Sequence, residues 1–295
     1  MSSKPGERMP AVTPADILWR ASPGRAVRVL DVGANPINGT VSYQPLLQAG
    51  RAEVTGFEPQ PEALAELLAR KSDAETYLPH ALGDGTEGVL HLYHQSGFTS
   101  LFPLHDEMAA LLGFRRATRE VGRVPVATHR LDDLDDLTMP DFLKIDVQGS
   151  ELAVISNGRQ TLGEAVLVQT EVRFVPLYKG EPTFGDLQRE LLAQGFLFHD
   201  FADLKRVALH RRTGPALRRA AFRQVVDGDA FFVRDLTGIA DWTDRQIWAL
   251  ALLGEVVVRS PSLVLLCLDA LAERGAASGE VTEAYLAALP PRLRK

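Results

Sequence analysis

The amino-acid sequence predicts an α/β fold: a doubly wound, mostly parallel sheet followed by a C-terminal helical extension. The first observation is that short apolar runs rich in β-branched residues alternate with helical segments, which is typical of βαβ units. Right-handed crossovers between parallel strands would place helices on both faces of the sheet. The second observation is that strand-like runs stop near residue 235, and only helical patterns follow.

The main domain is predicted over residues 26–235, after an N-terminal segment of residues 1–25. Its first five strands are predicted at 28–33, 53–59, 75–83, 141–148 and 165–172. The helices between them are predicted at 42–50, 61–71 and 150–162. A further helix is predicted over 183–195, with Thr183 as N-cap and Gly195 at its C-terminal end. Two later strand-like runs, 196–204 and 229–236, could close the sheet in the antiparallel direction.

Two regions lie outside this alternation. Residues 88–131 are interpreted as an insertion between the third and fourth strands, with short alternating strands and one charged helix over 104–121. Residues 236–295 form the predicted extension, with helical patterns at 243–257, 261–275 and 282–293. The apolar stripes of these helices must be covered by the main domain or by another subunit, so a homodimer through the extension is one expectation.

Composition narrows the class of protein. The formal net charge of -6 argues against a nucleic-acid partner, because such proteins usually carry a basic excess. The single cysteine, Cys267, rules out an intramolecular disulfide framework and fits a reducing compartment. Residues 1–16 lack an apolar signal-peptide core, and no window holds eighteen uninterrupted apolar residues. We therefore expect a cytoplasmic protein without a membrane span.

The segment LDVGANPINGT, residues 30–40, lies where the first predicted strand gives way to a loop. Neither a P-loop nor a G-x-G-x-x-G fingerprint is present, and Asp31 would put negative charge beside a pyrophosphate. A cationic ligand without phosphate suits this loop better, and S-adenosylmethionine is such a ligand. Glu58, at the end of the second strand, could accept hydrogen bonds from the ribose hydroxyls. Asp84, after the third strand, could accept from the adenine amino group.

Several blocks resemble the FkbM-type methyltransferases. The most specific is FLKIDVQGSELAVISNG, residues 142–158, which is similar to the family signature K-I-D-x-[EQ]-G-x-E; DVGAN, GFEPQPEAL, FTSLF, RLDDL and QTEVRFVPLY follow the family's order. The resemblance runs from about Val29 to Asp235. It implies a seven-stranded Rossmann-like sheet of the class I methyltransferase type, S-adenosylmethionine as cofactor, and a small-molecule or saccharide acceptor. One departure is that Pro36, Ile37 and Asn38 lengthen the first loop, which we interpret as reaching round the methionine end of the cofactor.

The resemblance and the strand ends together give the candidate site. The predicted cofactor contacts are Asp31, Gly33, Asn35, Glu58, Pro59, Asp84 and Asp146. The predicted reaction is O-methylation of a hydroxyl on a sugar, glycan or secondary metabolite, and a hydroxyl nucleophile benefits from a general base. The candidates are Asp146 and Glu171, at the ends of the fourth and fifth strands, and His80 as a weaker one. Glu171 is the preferred proton acceptor, whereas Asp146 would orient the methionine end or the acceptor hydroxyl.

Alternatives remain open at this point. The role of Asp146 could be limited to anchoring the cofactor's ammonium group, and that of Glu151 to supporting the first turn of its helix. Lys144 is expected to pair with a carboxylate. A divalent metal is possible, but no motif indicates one, and the acidic run 131–137 is interpreted as solvated. The alternative functions are N-methylation and ligand binding by a catalytically silent protein of the same fold. A nicotinamide-dependent oxidoreductase is a third alternative, which the missing G-x-G-x-x-G fingerprint disfavours.

Overall fold

The structure, a computed structural model, describes residues 12–35, 39–209 and 216–295. The predicted loop extension at Pro36, Ile37 and Asn38 lies outside the described residues. The chain divides into two compact units. The larger unit, residues 26–238, is referred to below as the sheet unit. The smaller, helical unit combines residues 239–295 with the described residues before Ala26.

A seven-stranded, mostly parallel sheet forms the centre of the sheet unit, as predicted. Its strands, in spatial order, are β3 (Glu75–Leu78), β2 (Ala52–Phe57), β1 (Val27–Val32), β7 (Phe142–Ile145), β8 (Leu167–Arg173), β10 (Gln224–Arg234) and β9 (Phe196–Val207). The first five pair in parallel, and β10 is antiparallel to both of its neighbours. The strand order reverses between β1 and β7, and ligands bind at the carboxyl side of such a reversal.

The helices of the sheet unit follow the predicted pattern with shorter bounds. They are α2 (Gln44–Gln48), α3 (Pro61–Arg70), α4 (Asp106–Leu111), α5 (Glu151–Ser156) and α6 (Phe184–Ala193). The predicted cap of α6 is present: Thr183 and Asp186 form a capping box, and Gly195 has a φ of 81° beyond the last turn. Leu187 and Leu191 of α6 are buried in the core cluster that contains Leu143 and Ile145 of β7.

Two predicted elements are wrong, the third strand of the sheet and the helix of the inserted region. The run 75–83 is not one strand: β3 ends at Leu78, and β4 (Ala81–Leu82) joins a second sheet with β6 (Glu120–His129) and β5 (Glu87–Tyr93). Pro79 lies between β3 and β4 and has no N–H for a ladder hydrogen bond. The predicted helix over 104–121 is reduced to the six residues of α4, because Gly113 has a φ of 81° and Glu120 already starts β6.

The helical unit contains four described helices: α1 (Pro14–Ala21), α7 (Asp244–Leu253), α8 (Pro261–Glu273) and α9 (Gly279–Ala288). Helix α8 contacts α7 and α9, and α1 contacts α7 and α9, so the N-terminal segment packs with the C-terminal helices. A π-helical turn, Gly254–Val258, continues α7 until Arg259 adopts a φ of 58°. Cys267 is buried in this unit. In the described part of the chain, no helix combines the length and the apolar character needed to cross a bilayer.

Candidate active site at the carboxyl ends of the central strands

Three cavities lie at the carboxyl ends of the parallel strands. The central cavity, of about 100 Å³, is lined by the predicted residues Gly33, Asn35, Glu58, Pro59 and Asp146. The apolar cavity, of about 60 Å³, shares Gly33 and Pro59 with it. The third cavity, of about 460 Å³, is called the Glu171 cavity and shares Ser96, Gly97 and Gln148 with the central one. The shared lining residues make the three cavities a continuous site.

Gly33 brings the first loop into close contact with the loop that follows β7. Its φ is 80°, and a Cβ built on it would lie 2.0 Å from the carbonyl oxygen of Asp146. The Gly33 N–H donates to the carbonyl of Phe57, the last residue of β2, at 3.0 Å. No residue with a side chain fits this position without moving the backbone, so the glycine fixes the distance between the two loops.

Glu58 lies immediately beyond β2 and lines the central cavity, where it was predicted to be. It is 2% exposed, and its Oε1 accepts a hydrogen bond from the Gln60 N–H at 2.8 Å. Burial raises the pKa of Glu58, although the hydrogen bonds from Gln60 and Asn35 oppose this shift. A buried carboxylate on a cavity wall is a suitable acceptor for ligand hydroxyl groups.

Asp31 lies beneath the first loop, away from the cavity walls. It is 1% exposed, its Oδ1 accepts from Lys144 Nζ at 3.0 Å, and its Oδ2 accepts from the Tyr43 hydroxyl at 2.6 Å. Burial opposes the charged form of Lys144, yet Asp31 and Asp146 together hold the pKa of Lys144 above its usual value. Asp31 lines none of the three cavities, in contrast to the expected cofactor contact, because both of its oxygens bind within the protein.

Asp84 lies outside the three cavities, whereas His80 lines one of them. Asp84 is exposed and lines none of the three cavities, because its Oδ1 accepts from the N–H and the hydroxyl of Thr86 in a local turn, at 3.1 and 2.6 Å. His80 lines the apolar cavity, with its ring centroid 4.7 Å from that of His129. Burial, and then His129, lower the pKa of His80. The structure does not bring His80 to Glu171, since the apolar and Glu171 cavities share no lining residue.

Asp146 and Glu171 are brought together, as their positions at the ends of neighbouring parallel strands predict. The side-chain amide of Gln148 lies between them: Nε2 donates to Asp146 Oδ1 at 2.7 Å and to Glu171 Oε2 at 2.8 Å. Gln148 has a φ of 53°, a left-handed conformation that is uncommon for a residue with a side chain. Its carbonyl accepts from the Ser100 hydroxyl at 2.6 Å, which fixes the turn from the inserted region.

Arg173 supplies the positive charge of this cluster. Its guanidinium contacts Glu171 at 3.1 Å, Asp227 at 2.7 Å and the Gln148 Oε1 at 2.7 Å. Burial raises the pKa of Glu171 well above 4.5, against the lowering effect of Arg173. The side chain of Glu171 is still 14% exposed and lines its cavity. A carboxylate with a raised pKa that faces a cavity is suited to accept a proton near neutral pH.

Glu151 ties the loop after β7 to the start of α5. It is 3% exposed and accepts from the N–H groups of Val147 and Gly149 at 2.8 and 2.9 Å. Burial raises the pKa of Glu151 to about 7. One oxygen each from Asp146, Glu151 and Glu171 lie within 4.8 Å of one another. Each of the three carboxylates accepts at least one hydrogen bond from the protein.

Sequence reasoning missed Gln148 and Arg173 as parts of the site. A signal for Arg173 was available, because residues two apart in a strand point to the same face, which puts Arg173 on the side of Glu171. Gln148 directly precedes Gly149, and a glycine shortly after the end of a strand indicates a tight turn. That its amide would join two carboxylates depends on the packing of β7 beside β8.

Known proteins resemble this chain in sequence and in fold. A family model described as "Methyltransferase FkbM domain" matches residues 31–198. The 2-O-methyltransferase NoeI of Sinorhizobium fredii (strain NBRC 101917 / NGR234) is 28% identical over 162 residues, which are 52% of this chain. The match spans 66% of that relative, slightly less than two thirds of its length.

Two solved structures illustrate the structural similarity. The methyltransferase FkbM of Methylobacillus flagellatus KT is 16% identical with a TM-score of 0.38, covering 70% of this chain and 43% of that one. The magnesium protoporphyrin IX methyltransferase ChlM of Synechocystis PCC 6803 with bound SAM is 15% identical with a TM-score of 0.35, covering 72% of each chain. Because the family match extends over more than half of its residues, this chain belongs to the methyltransferase FkbM domain family.

Proposed function

We propose that this protein is an S-adenosylmethionine-dependent methyltransferase that methylates a hydroxyl group on a sugar, glycan or secondary metabolite. The observation that carries the proposal is the continuous site in which Glu58 lines one cavity and Glu171 lines the next, with Asp146 and Gln148 between them. Membership of the FkbM family supports the same reaction class, and the similarity to a 2-O-methyltransferase supports oxygen as the acceptor atom.

The cavities suit the chemical groups of this cofactor. Two carboxylates, Glu58 and Asp146, and no arginine or lysine are among the described residues that line the central cavity, which favours a ligand with hydroxyl and cationic groups. The apolar cavity is lined by Phe57, Leu82 and Val126 and suits a flat base. The buried Ser150 hydroxyl lines that cavity and has no hydrogen-bond partner among the described residues. A buried polar atom of this kind is stabilised when a ligand supplies the missing partner.

The roles of the side chains follow from their places. When bound, the cofactor supplies a methyl group on a cationic sulfur. Glu58 would accept hydrogen bonds from the ribose hydroxyls, and Asp146 would orient the methionine end. The acceptor would enter the Glu171 cavity, whose volume of about 460 Å³ is in the range of small-molecule sites. Glu171 would accept the proton of the acceptor hydroxyl as the methyl group is transferred to its oxygen.

Gln148 and Arg173 would hold Glu171 in position during this transfer. Both donate to Oε2 of Glu171, so this oxygen is fixed while the carboxylate keeps its cavity-facing orientation. A general base typically contributes about 10²–10⁴-fold to the rate, and aligning the reactants contributes further.

The first test is binding of S-adenosylmethionine, measured by isothermal titration calorimetry with NAD as the competing candidate. Glu58→Ala should weaken the affinity by about 1–3 kcal/mol, the cost of leaving ligand hydroxyls unpaired. Glu62→Ala is the matched control, because Glu62 is an exposed glutamate in the first turn of α3. Unchanged affinity in Glu58→Ala would remove Glu58 from the site. Binding of NAD without S-adenosylmethionine would contradict the proposed function.

A further inference from the structure

The inserted region forms a second large concavity, here called the arginine cleft. Its volume is about 820 Å³. It is lined from β5, the turn after α4, β6 and the loop after β8. The charged and histidine side chains on its walls are His91, His94, Asp106, Arg115, Arg116, Arg119, Glu120, Arg123 and Lys179.

One group of these charges is compensated within the protein. Glu120 accepts from Arg123 Nε at 2.7 Å and from Arg123 Nη2 at 3.0 Å, and it lies 2.8 Å from Nδ1 of His91. The hydrogen bonds from Arg123 and then His91 lower the pKa of Glu120 to about 2, so it stays ionised. The charges of Arg123 and Glu120 therefore cancel, and this pair presents no net charge to a ligand.

The other cations are uncompensated. Arg115, Arg116, Arg119 and Lys179 are exposed, and within the described residues none of their side chains forms an ion pair or a hydrogen bond. Asp106 is the remaining carboxylate on the described walls. The cleft therefore holds a net formal charge of about +3 in a chain whose net charge is -6. Clustered guanidinium groups attract anions and bind phosphate through paired hydrogen bonds.

The cleft adjoins the candidate active site. His94 lines both the arginine cleft and the Glu171 cavity. The His94 N–H donates to the carbonyl of Arg119 at 2.9 Å, so the end of β5 is tied to the cationic turn. A ligand that occupies both spaces would place an anionic group among the arginines and another part beside Glu171.

We propose that the arginine cleft binds a phosphate or diphosphate group of the methyl acceptor, so that the acceptor is a phosphorylated saccharide or metabolite. This inference rests on the proposed function. A phosphate group fits better than a single carboxylate, because it offers several oxygens and more than one negative charge to four uncompensated cations.

The test uses the full chain with inorganic pyrophosphate as the probe and calorimetry as the readout. The variant Arg115→Gln/Arg116→Gln should lower pyrophosphate affinity at least about tenfold, equivalent to about 1.4 kcal/mol. The matched control is Arg218→Gln/Arg219→Gln, which removes the same charge from exposed arginines outside the cleft. Binding should also weaken as salt is added, because exposed charges are screened. Circular dichroism of both variants checks that each is folded.

The outcomes separate the two proposals. Pyrophosphate affinity that falls only in the cleft variant supports the assignment. If pyrophosphate does not bind, or binds the two variants equally well, the assignment of the cleft is overturned. Binding of S-adenosylmethionine in the same experiment would then support the proposed function without a role for the cleft. Tighter binding of glucuronate than of pyrophosphate also overturns the assignment of the cleft in favour of a carboxylate acceptor. Pyrophosphate binding without any S-adenosylmethionine binding overturns the methyltransferase assignment, and the acceptor role of the cleft with it.

Discussion

The buried ion pair between Lys144 and Asp31 gives the sharpest prediction about how the site is held. Lys144→Met keeps most of the apolar side chain and removes its charge. Asp31 is then left 1% exposed with the Tyr43 hydroxyl as its remaining side-chain donor. Breaking a buried pair by removing one partner costs about 3–5 kcal/mol, because the other charge stays buried without compensation. We expect the free energy of unfolding to fall by this amount.

Two further variants make the prediction specific. Asp31→Asn/Lys144→Met removes both charges while the amide oxygen still accepts from Tyr43, so it should recover at least about 2 kcal/mol of the loss. Arg70→Met is the surface control: Arg70 pairs with Glu66 on an exposed face of α3, and its loss should cost less than about 1 kcal/mol.

The assay is urea denaturation followed by far-ultraviolet circular dichroism. Tryptophan fluorescence is less suitable, because all three tryptophans, Trp19, Trp242 and Trp248, belong to the helical unit. A loss below about 1 kcal/mol in Lys144→Met, or a double variant no more stable than the single one, would show that the buried pair does not stabilise the fold as expected.

Three more predictions concern the site. Glu171→Gln should lower methyl transfer by about 10²–10⁴-fold while S-adenosylmethionine affinity stays near wild type, and unchanged turnover on the true acceptor would exclude Glu171 as the base. Gly33→Ala should destabilise the protein by more than about 2 kcal/mol by thermal melting, since its Cβ meets the Asp146 carbonyl. Gly39→Ala, strained in φ but with no described atom close to its Cβ, should cost less. Ionisation of Glu151 costs stability as the pH rises from 4.5 through about 7. Measured by urea denaturation across this range, the free energy of unfolding of Glu151→Gln should therefore rise relative to that of wild type by up to about 3 kcal/mol. A stability difference between the two proteins that does not change with pH would contradict the raised pKa of Glu151.

The alternation of strands and helices, and the residues at the strand ends, could be predicted from the amino-acid sequence. These features are local: apolar periodicity, the Thr183 cap and the glycines at turns depend on neighbours within a few positions. Asp146 and Glu171 were placed side by side because the ends of neighbouring parallel strands lie at one edge of the sheet. Glu58 was placed on the site for the same reason.

Which side chains meet depends on the packing of the strands, helices and loops in three dimensions. Asp31 and Lys144 are 113 positions apart, and their buried pairing could not be read from the sequence around either residue. Gln148 and Arg173 meet Glu171 because β7 packs beside β8, and the Asp84 carboxylate accepts from Thr86 in a local turn. Burial and long-range pairing set these outcomes, and neither is encoded in the spacing of residues along a short segment. The arginine cleft likewise exists only because the turn after α4 folds beside β5 and Lys179.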